Sequence, residues 1–103
     1  MSIVYNKLVR DKIPQIIEAS GKTPVTRVAS SNECRDLLRA KLSEEVDEYL
    51  STGKVEELCD IVEVVSALAR CEGLTVDHIL ELAAEKRDRR GGFEGRIVLL
   101  RVD

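Results

Sequence analysis

The feature that most constrains the fold is an acidic cluster split across a predicted helical hairpin. Between residues 44 and 63 there is one base, Lys54, and eight acids: Glu44, Glu45, Asp47, Glu48, Glu56, Glu57, Asp60 and Glu63. Such a density of like charge is self-repulsive. If the hairpin brings these carboxylates together, a cation should neutralise them, and a hard metal ion such as Mg²⁺ is the usual candidate.

Apolar spacing and capping residues predict a mainly α chain. We expect helices over residues 11–19, from about 30–33 to 51, from 55 to 71 or 72, and from 75 to about 90. Asp11, the Ser30 region and Thr75 are candidate N-caps. The helices are expected to end at the glycines Gly21, Gly53, Gly73 and Gly91.

Two short β-rich segments lie outside these helices. Residues 24–28 and 97–100 are expected to form short peripheral strands that can pair as a small sheet. No linker divides the chain, so residues 1–103 are expected to form one domain. The apolar faces of residues 38–50 and 58–69 are generous for one small chain. They indicate a four-helix-type bundle that is completed by the other helices or by oligomerisation.

Helical geometry places four of the acids where two helices can meet. Because each residue advances 100°, Glu45 and Glu48 form an i, i+3 pair at the rim of the first apolar face. Glu57 and Asp60 form the matching pair on the second helix. Two antiparallel helices joined by a short turn can bring these pairs together. The result would be a cage of four oxygen ligands for one or two Mg²⁺ ions.

An ordinary solvated helix surface is the alternative explanation of these acids. Against it, basic partners are nearly absent, and Glu57 interrupts an apolar stripe. If the helical register is shifted, Glu56 and Glu63 become the alternative ligands, and both interpretations stay open at this point.

Three motifs together resemble a known superfamily. The acidic motif is Glu44-Glu45-x-x-Glu48 followed by Glu57-x-x-Asp60. It resembles the signature of the MazG-like, all-α nucleoside triphosphate pyrophosphatases, which include phosphoribosyl-ATP pyrophosphohydrolase and the dimeric dUTPases. Residues 5–14 (YNKLVRDKIP) look like the opening of the house-cleaning branch, and residues 86–97 (KRDRRGGFEGRI) look like its closing motif. Only eight residues separate Glu48 from Glu57, which is fewer than in many members of the superfamily.

The resemblance implies an activity and a role for each acid. The expected reaction converts a nucleoside triphosphate and water to the monophosphate and pyrophosphate, with Mg²⁺ or alternatively Mn²⁺ as cofactor. By resemblance, Glu45, Glu48, Glu57 and Asp60 are the metal ligands. Glu44 would orient the attacking water or act as the base. The superfamily commonly forms dimers or tetramers, so a homo-oligomer is also expected.

Phosphate binding must then depend on the metal and on basic side chains, because no Walker-type glycine loop is present. Arginine can hold phosphate oxygens bidentately, and lysine acts as a point charge. Each base alone is most often a solvated charge. The candidates are Lys7, Arg10, Lys12, Lys86, Arg87, Arg90 and Arg96.

Three functions remain in competition. The favoured one is a house-cleaning pyrophosphohydrolase for non-standard or surplus nucleotides. The alternatives are phosphoribosyl-ATP hydrolysis and a non-catalytic module for nucleotide sensing or helical interaction. The net charge of −3 disfavours a nucleic-acid partner. The absence of a long apolar run or a leader-like start predicts a cytoplasmic protein without a membrane span.

Overall fold

The chain forms four helices. A computed structural model describes residues 2–103 and contains α1 (Ile13–Ala19), α2 (Ser31–Thr52), α3 (Val55–Cys71) and α4 (Val76–Arg90). The mainly α prediction is therefore confirmed, and the predicted helix bounds differ from the observed ones by no more than a few residues. Across this described part of the chain, no helix is both long and apolar enough to cross a membrane.

Most of the predicted helix ends use the predicted caps. The hydroxyl groups of Ser30 and Thr75 accept hydrogen bonds from the backbone N–H groups of Glu33 and His78, each at 3.2 Å. These bonds satisfy donors that the first turn of a helix leaves free. Gly53 ends α2 in the left-handed conformation, with φ of 66°. A side chain other than glycine would be strained there, which makes the sharp turn into α3 sequence-specific.

The expected N-cap at Asp11 is wrong. Lys12 occupies the N-cap position of α1, and no side-chain cap hydrogen bond forms there within residues 2–103. A turn comes first, in which the N–H of Ile13 donates to the carbonyl of Arg10 at 3.0 Å. The helix starts after this turn and carries Pro14 near its beginning, where the missing N–H is not needed.

The two expected strands are also wrong. No strand occurs among the residues that the structure describes. Val25 and Val28 are 96 % and 97 % exposed, and residues 97–100 are exposed along their whole length. A strand needs a paired neighbour and a packed face, so β-branched composition alone did not produce one here.

The hairpin of α2 and α3 carries the small core of the chain. Leu38 on α2 and Val64 and Ala69 on α3 are buried, and α4 packs against α3. The Cα radius of gyration is 18.1 Å, with extents of 60 × 32 × 25 Å. A compact domain of this length has a radius of about 13 Å. The single chain is therefore elongated and leaves much of its apolar surface uncovered.

Candidate metal centre

Three carboxylates from the two hairpin helices meet in one cluster. One oxygen each from Glu45, Glu57 and Asp60 lies within 4.8 Å of the others. Glu45 comes from α2, while Glu57 and Asp60 lie one turn apart on α3. The tight turn at Gly53 determines which residues of α2 lie beside which residues of α3. It does so because α2 ends and α3 begins at this turn, and the two helices run antiparallel from it. We refer to these three residues as the carboxylate cluster.

Glu45 is the unusual member of the carboxylate cluster. Its residue is 6 % exposed, and its Oε2 atom has no hydrogen-bond partner within residues 2–103. Its other oxygen, Oε1, has the Nζ atom of Lys41 at 3.4 Å, but burying a carboxylate with one oxygen unpaired is still costly. Burying it beside two further carboxylates adds repulsion. A further cation bound among the three carboxylates would pair the free Oε2 atom of Glu45 and offset their mutual repulsion.

The donor set suits a hard divalent cation. All three groups present carboxylate oxygen, which Mg²⁺ and Mn²⁺ prefer over nitrogen or sulfur. Oxygens bound to one Mg²⁺ lie about 3 Å apart when adjacent and about 4 Å apart when opposite, given Mg–O distances of about 2.1 Å. The three cluster oxygens, which lie within 4.8 Å of one another, approach these values. The residues present therefore fit a Mg²⁺ site, with water completing the octahedron.

Three bases surround the acids. Lys41 lies on α2 with its Nζ atom 3.4 Å from Oε1 of Glu45 and 3.6 Å from Oε1 of Glu44. The segment before α1 supplies the other two. Lys7 donates to Glu44 at 3.2 Å, and Arg10 donates to Asp60 at 2.7 Å.

The pairing of Arg10 with Asp60 has a consequence for the fold. Arg10 precedes α1, whereas Asp60 lies on α3, so this ion pair holds the N-terminal segment against the hairpin. The two partners are 56 % and 38 % exposed at the side chain. Exposed pairs of this kind contribute about 0–1 kcal/mol. We therefore regard the contact as one that positions the basic segment, and only a minor source of stability.

Glu44 is held in its charged form. The hydrogen bond from Lys7 lowers the pKa of the Glu44 carboxyl, burial works in the opposite direction, and the charge of Lys41 adds to the lowering. At neutral pH the carboxylate is therefore fully ionised. A carboxylate in this state accepts hydrogen bonds well and is a weak proton acceptor.

Removing Lys7 is expected to give a small, pH-dependent loss of stability. A lowered pKa in the folded state stabilises the protein above the pKa of the unfolded state, and this contribution disappears as the pH falls through the folded value. Lys7→Met should therefore unfold more easily than the parent at pH 7, by less than about 1 kcal/mol because Glu44 is partly exposed. The difference should shrink as the pH falls through the lowered pKa of Glu44 in the folded protein and be absent once that carboxyl is protonated in both states.

Urea unfolding at several pH values, with a chelator present, measures this effect. Lys12→Met is the matched control, since Lys12 belongs to the same basic segment but makes no ion pair within residues 2–103. An equal loss in both variants, or a loss that persists at low pH, would contradict the role assigned to the contact between Lys7 and Glu44.

The remaining predicted ligands lie outside the carboxylate cluster. Glu48 is exposed and does not belong to the group that the structure brings together among the described residues. Glu56 and Glu63 are exposed, as the helical register predicted, although Glu63 lines a neighbouring cleft. The structure thus assembles three of the four predicted acids.

The predicted phosphate-binding bases divide into two groups. Lys7 and Arg10 contact acids at the site, whereas Lys12 is exposed in front of α1. Lys86, Arg87 and Arg90 lie on α4, and Arg96 follows it with φ of 51°. Within the described chain, none of these four forms a hydrogen bond or ion pair with the carboxylates. One chain alone therefore does not bring the closing motif to the acids.

A cleft of about 280 Å³ opens beside the carboxylate cluster. Arg10, Lys41, Glu45 and Asp60 line it together with apolar residues that include Leu8, Leu38 and Val64. The N-terminal segment forms one wall and the hairpin forms the other. The cleft thus combines acids, bases and an apolar floor.

Lys41 is the site residue that the sequence reasoning missed. It lies three residues before Glu44 and four before Glu45, and residues at these spacings share a helix face. This spacing was sufficient to identify it. Lys41 lies one turn before the acid-rich window of residues 44–63, outside the run of acids itself.

Comparisons with known proteins identify a relative but no family. Over 42 residues the chain is 57 % identical to a protein of Mycolicibacterium smegmatis (strain ATCC 700084 / mc(2)155) that carries the name "Uncharacterized protein". The match covers 41 % of this chain and 43 % of that protein, so the chain spans less than half of the relative's length. No family model matches the chain, and no solved structure matches it significantly.

Proposed function

We propose that the protein is a Mg²⁺-dependent nucleoside triphosphate pyrophosphohydrolase of the MazG-like type, which forms a monophosphate and pyrophosphate. Mn²⁺ is the alternative cofactor, and non-standard or surplus nucleotides are the proposed substrates. The observation that carries the proposal is the convergence of Glu45, Glu57 and Asp60, with the Oε2 atom of Glu45 buried and unpaired in the described part of the chain. Such a nucleotide-clearing role would place the protein in the cytoplasm.

The carboxylate cluster would hold the cation. A bound Mg²⁺ supplies charge neutralisation to triphosphate oxygens and polarises a water molecule. Glu45 would contribute an oxygen from α2, and Asp60 and Glu57, one turn earlier on α3, would contribute the other two. Glu48 is one turn from Glu45 and exposed, so it is proposed to act only through a change of side-chain conformation or through a bridging water.

Glu44 would position the attacking water. It sits next to Glu45 on α2, and its pKa is lowered by Lys7. A carboxylate that stays ionised accepts a hydrogen bond from water but has little tendency to take the proton. Of the two roles considered for Glu44, orientation of the water is therefore better supported than general-base catalysis.

Lys7, Arg10 and Lys41 are proposed to bind phosphate oxygens. In the structure these bases pair with Glu44, Glu45 and Asp60, so their charged groups already lie at the cluster. A divalent cation on the carboxylates would compete for these pairings. Arg10 could then turn its planar guanidinium to a phosphate group, which it can hold bidentately. Negative charge of the substrate would thus replace the carboxylate as partner.

A second copy of the chain is proposed to complete the fold and the site. The hairpin tip is acidic, whereas residues 86–96, at the end of α4 and just after it, carry five bases and two acids. These two regions are not joined by ion pairs within residues 2–103. Surfaces of opposite charge on one chain can pair twice in a two-fold dimer. Exposed apolar residues such as Leu50, Phe93 and Leu100 provide surface for such an interface.

Arg90→Ala is expected to raise KM about tenfold, with little change in unfolding free energy. Arg90 is exposed at the end of α4 and makes no ion pair within the described residues, so its removal should not disturb the fold. In the proposed dimer it supplies positive charge to the partner's substrate. Steady-state kinetics measure the change, and Arg89→Ala, also exposed on the last turn, is the matched control. Unchanged kinetics in Arg90→Ala would remove this residue from the phosphate site.

The reaction itself is tested by pyrophosphate release from standard and modified nucleoside triphosphates and from phosphoribosyl-ATP, with and without Mg²⁺. Metal-dependent release with a monophosphate product would support the proposal. Preference for phosphoribosyl-ATP would instead assign the narrower enzyme function. No release by folded protein that still binds metal or nucleotide would favour a sensing or interaction module. Analytical ultracentrifugation of the same sample tests the second copy separately.

A further inference from the structure

Two cysteines face the same cleft at the open end of the hairpin, which is the end away from Gly53. Cys34 lies near the start of α2 and Cys71 ends α3. Both are partly buried, and both line a cleft of about 530 Å³. Nη2 of Arg35 donates to the carbonyl of Cys71 at 3.1 Å, so α2 reaches α3 at this level.

The register of the hairpin indicates that Cys34 and Cys71 lie at the same level of the two helices. The carboxylates of Glu45 and Asp60 approach across the same two helices. Cys34 is eleven residues before Glu45, and Cys71 is eleven residues after Asp60. Eleven residues make about three helical turns, with a drift of only about 20° around the helix. Cys34 therefore lies on nearly the same face of α2 as Glu45, and Cys71 lies on nearly the same face of α3 as Asp60. Because the helices are antiparallel, both shifts run in the same direction, by about 16 Å.

The spacing of packed helices suits a disulfide at this position. Helix axes in contact lie about 8–10 Å apart, and each Cα lies about 2.3 Å from its axis. Cα atoms that face each other directly are therefore about 4–5 Å apart. Cα atoms that lie to one side of the line joining the two helix axes are separated by about 6 Å. Disulfides span Cα distances of about 4.4–6.8 Å. Small neighbours such as Ala67, also in the cleft, leave room for two sulfur atoms.

We propose that Cys34 and Cys71 form an intrachain disulfide when the protein meets a two-electron oxidant such as a peroxide. One thiol loses its proton, and the thiolate attacks a peroxide oxygen. The O–O bond breaks, which gives a sulfenic acid and a hydroxide that takes up that proton to form water. The second thiol also loses its proton and attacks the sulfenic sulfur. The S–S bond forms, the S–O bond breaks, and the leaving hydroxide takes up this proton as a second water. Two thiols lose two electrons and two protons, and one hydrogen peroxide becomes two waters.

The cross-link would fasten the open end of the hairpin. The turn at Gly53 already joins the two helices at one end, and the disulfide would join them at the other, beyond Leu38. Its formation depends on the packing of α2 against α3 and needs neither metal nor nucleotide. The inference is therefore independent of the proposed enzyme function.

Oxidation of the folded full-length protein with one equivalent of hydrogen peroxide, at low protein concentration, tests the proposal. After alkylation of free thiols and proteolysis, mass spectrometry should find Cys34 joined to Cys71, with the mass of two hydrogen atoms lost. Cys59, exposed in the second turn of α3, should be alkylated. The thermal midpoint of the oxidised protein should rise by about 10 °C or more and return with a reductant.

Variants and unfolding provide the controls. Cys59→Ser should keep both the cross-link and the thermal shift, while Cys34→Ser and Cys71→Ser should lose both. In guanidinium chloride the preference for the pair of Cys34 and Cys71 should disappear, because it comes from the packed helices. Native oxidation that yields only sulfinic acids, only interchain links, or a link through Cys59 would overturn the proposal.

Discussion

Glu57→Gln is expected to abolish Mg²⁺-dependent pyrophosphate release while leaving the helices folded. The amide has nearly the same shape as the carboxylate but carries no charge, so one of the three oxygen ligands becomes a poor one. Loss of a charge that holds the metal should raise the barrier by about 3 kcal/mol or more, which is about a hundredfold or more in rate. Glu57 lies in the first turn of α3, and helicity by circular dichroism should be nearly unchanged.

Glu56→Gln is the matched control for this change. Glu56 is the preceding residue in the same first turn and is exposed, whereas Glu57 is partly buried in the carboxylate cluster. Both substitutions remove one negative charge near the helix N-terminus, so their general electrostatic effect is similar. Full activity in Glu57→Gln, or equal loss in both variants, would contradict the ligand assignment.

A metal titration separates binding from catalysis in the same pair of variants. A ligand that binds only the folded state raises the thermal midpoint as its concentration increases. Mg²⁺ should therefore stabilise the parent and Glu56→Gln, and it should stabilise Glu57→Gln much less. If Mg²⁺ stabilises none of the proteins, then the carboxylate cluster is an ordinary surface feature and the proposed cofactor is wrong.

The helices could be predicted from the sequence because their signals are local. Ser30, Thr75 and Gly53 act on backbone groups within a few residues of themselves, and each does so in the structure. The segments 24–28 and 97–100 show the limit of such reasoning. A β-rich segment forms a strand only when another strand pairs with it. No such partner strand is present among the described residues.

The acidic site could be predicted in part. Spacing along one helix identifies which acids share a face, and it pairs Glu45 with Glu48 and Glu57 with Asp60. The structure brings together three of these four, namely Glu45, Glu57 and Asp60. Spacing does not fix how far around the helix the contact extends. Glu48 therefore received the same weight as Glu45, although the structure leaves it exposed. The burial of Glu45 was equally beyond a helical-wheel argument, because burial depends on what covers the site.

The N-terminal bases illustrate a different limit. Lys7 and Arg10 were proposed as phosphate ligands, yet the structure pairs them with Glu44 and Asp60 across 37 and 50 residues of sequence. No spacing rule predicts a contact between an irregular segment and a distant helix. The basic residues of α4 are also predicted to bind phosphate at the acidic site. Within one chain they remain apart from the acids.

Leu38→Ala is expected to cost about 3 kcal/mol of unfolding free energy, which is a large part of the stability of so small a domain. Leu38 is 6 % exposed and is one of the few buried apolar residues in the described chain. Few apolar side chains are therefore available to move into the cavity that the substitution leaves. Leu50→Ala on the same helix is the matched control, because Leu50 is 75 % exposed and should cost less than about 0.5 kcal/mol. Urea unfolding at low protein concentration measures both.

A loss below about 1 kcal/mol for Leu38→Ala would show that the α2–α3 contact does not depend on this residue. A cost for Leu50→Ala that grows with protein concentration would indicate that a second copy covers the exposed face.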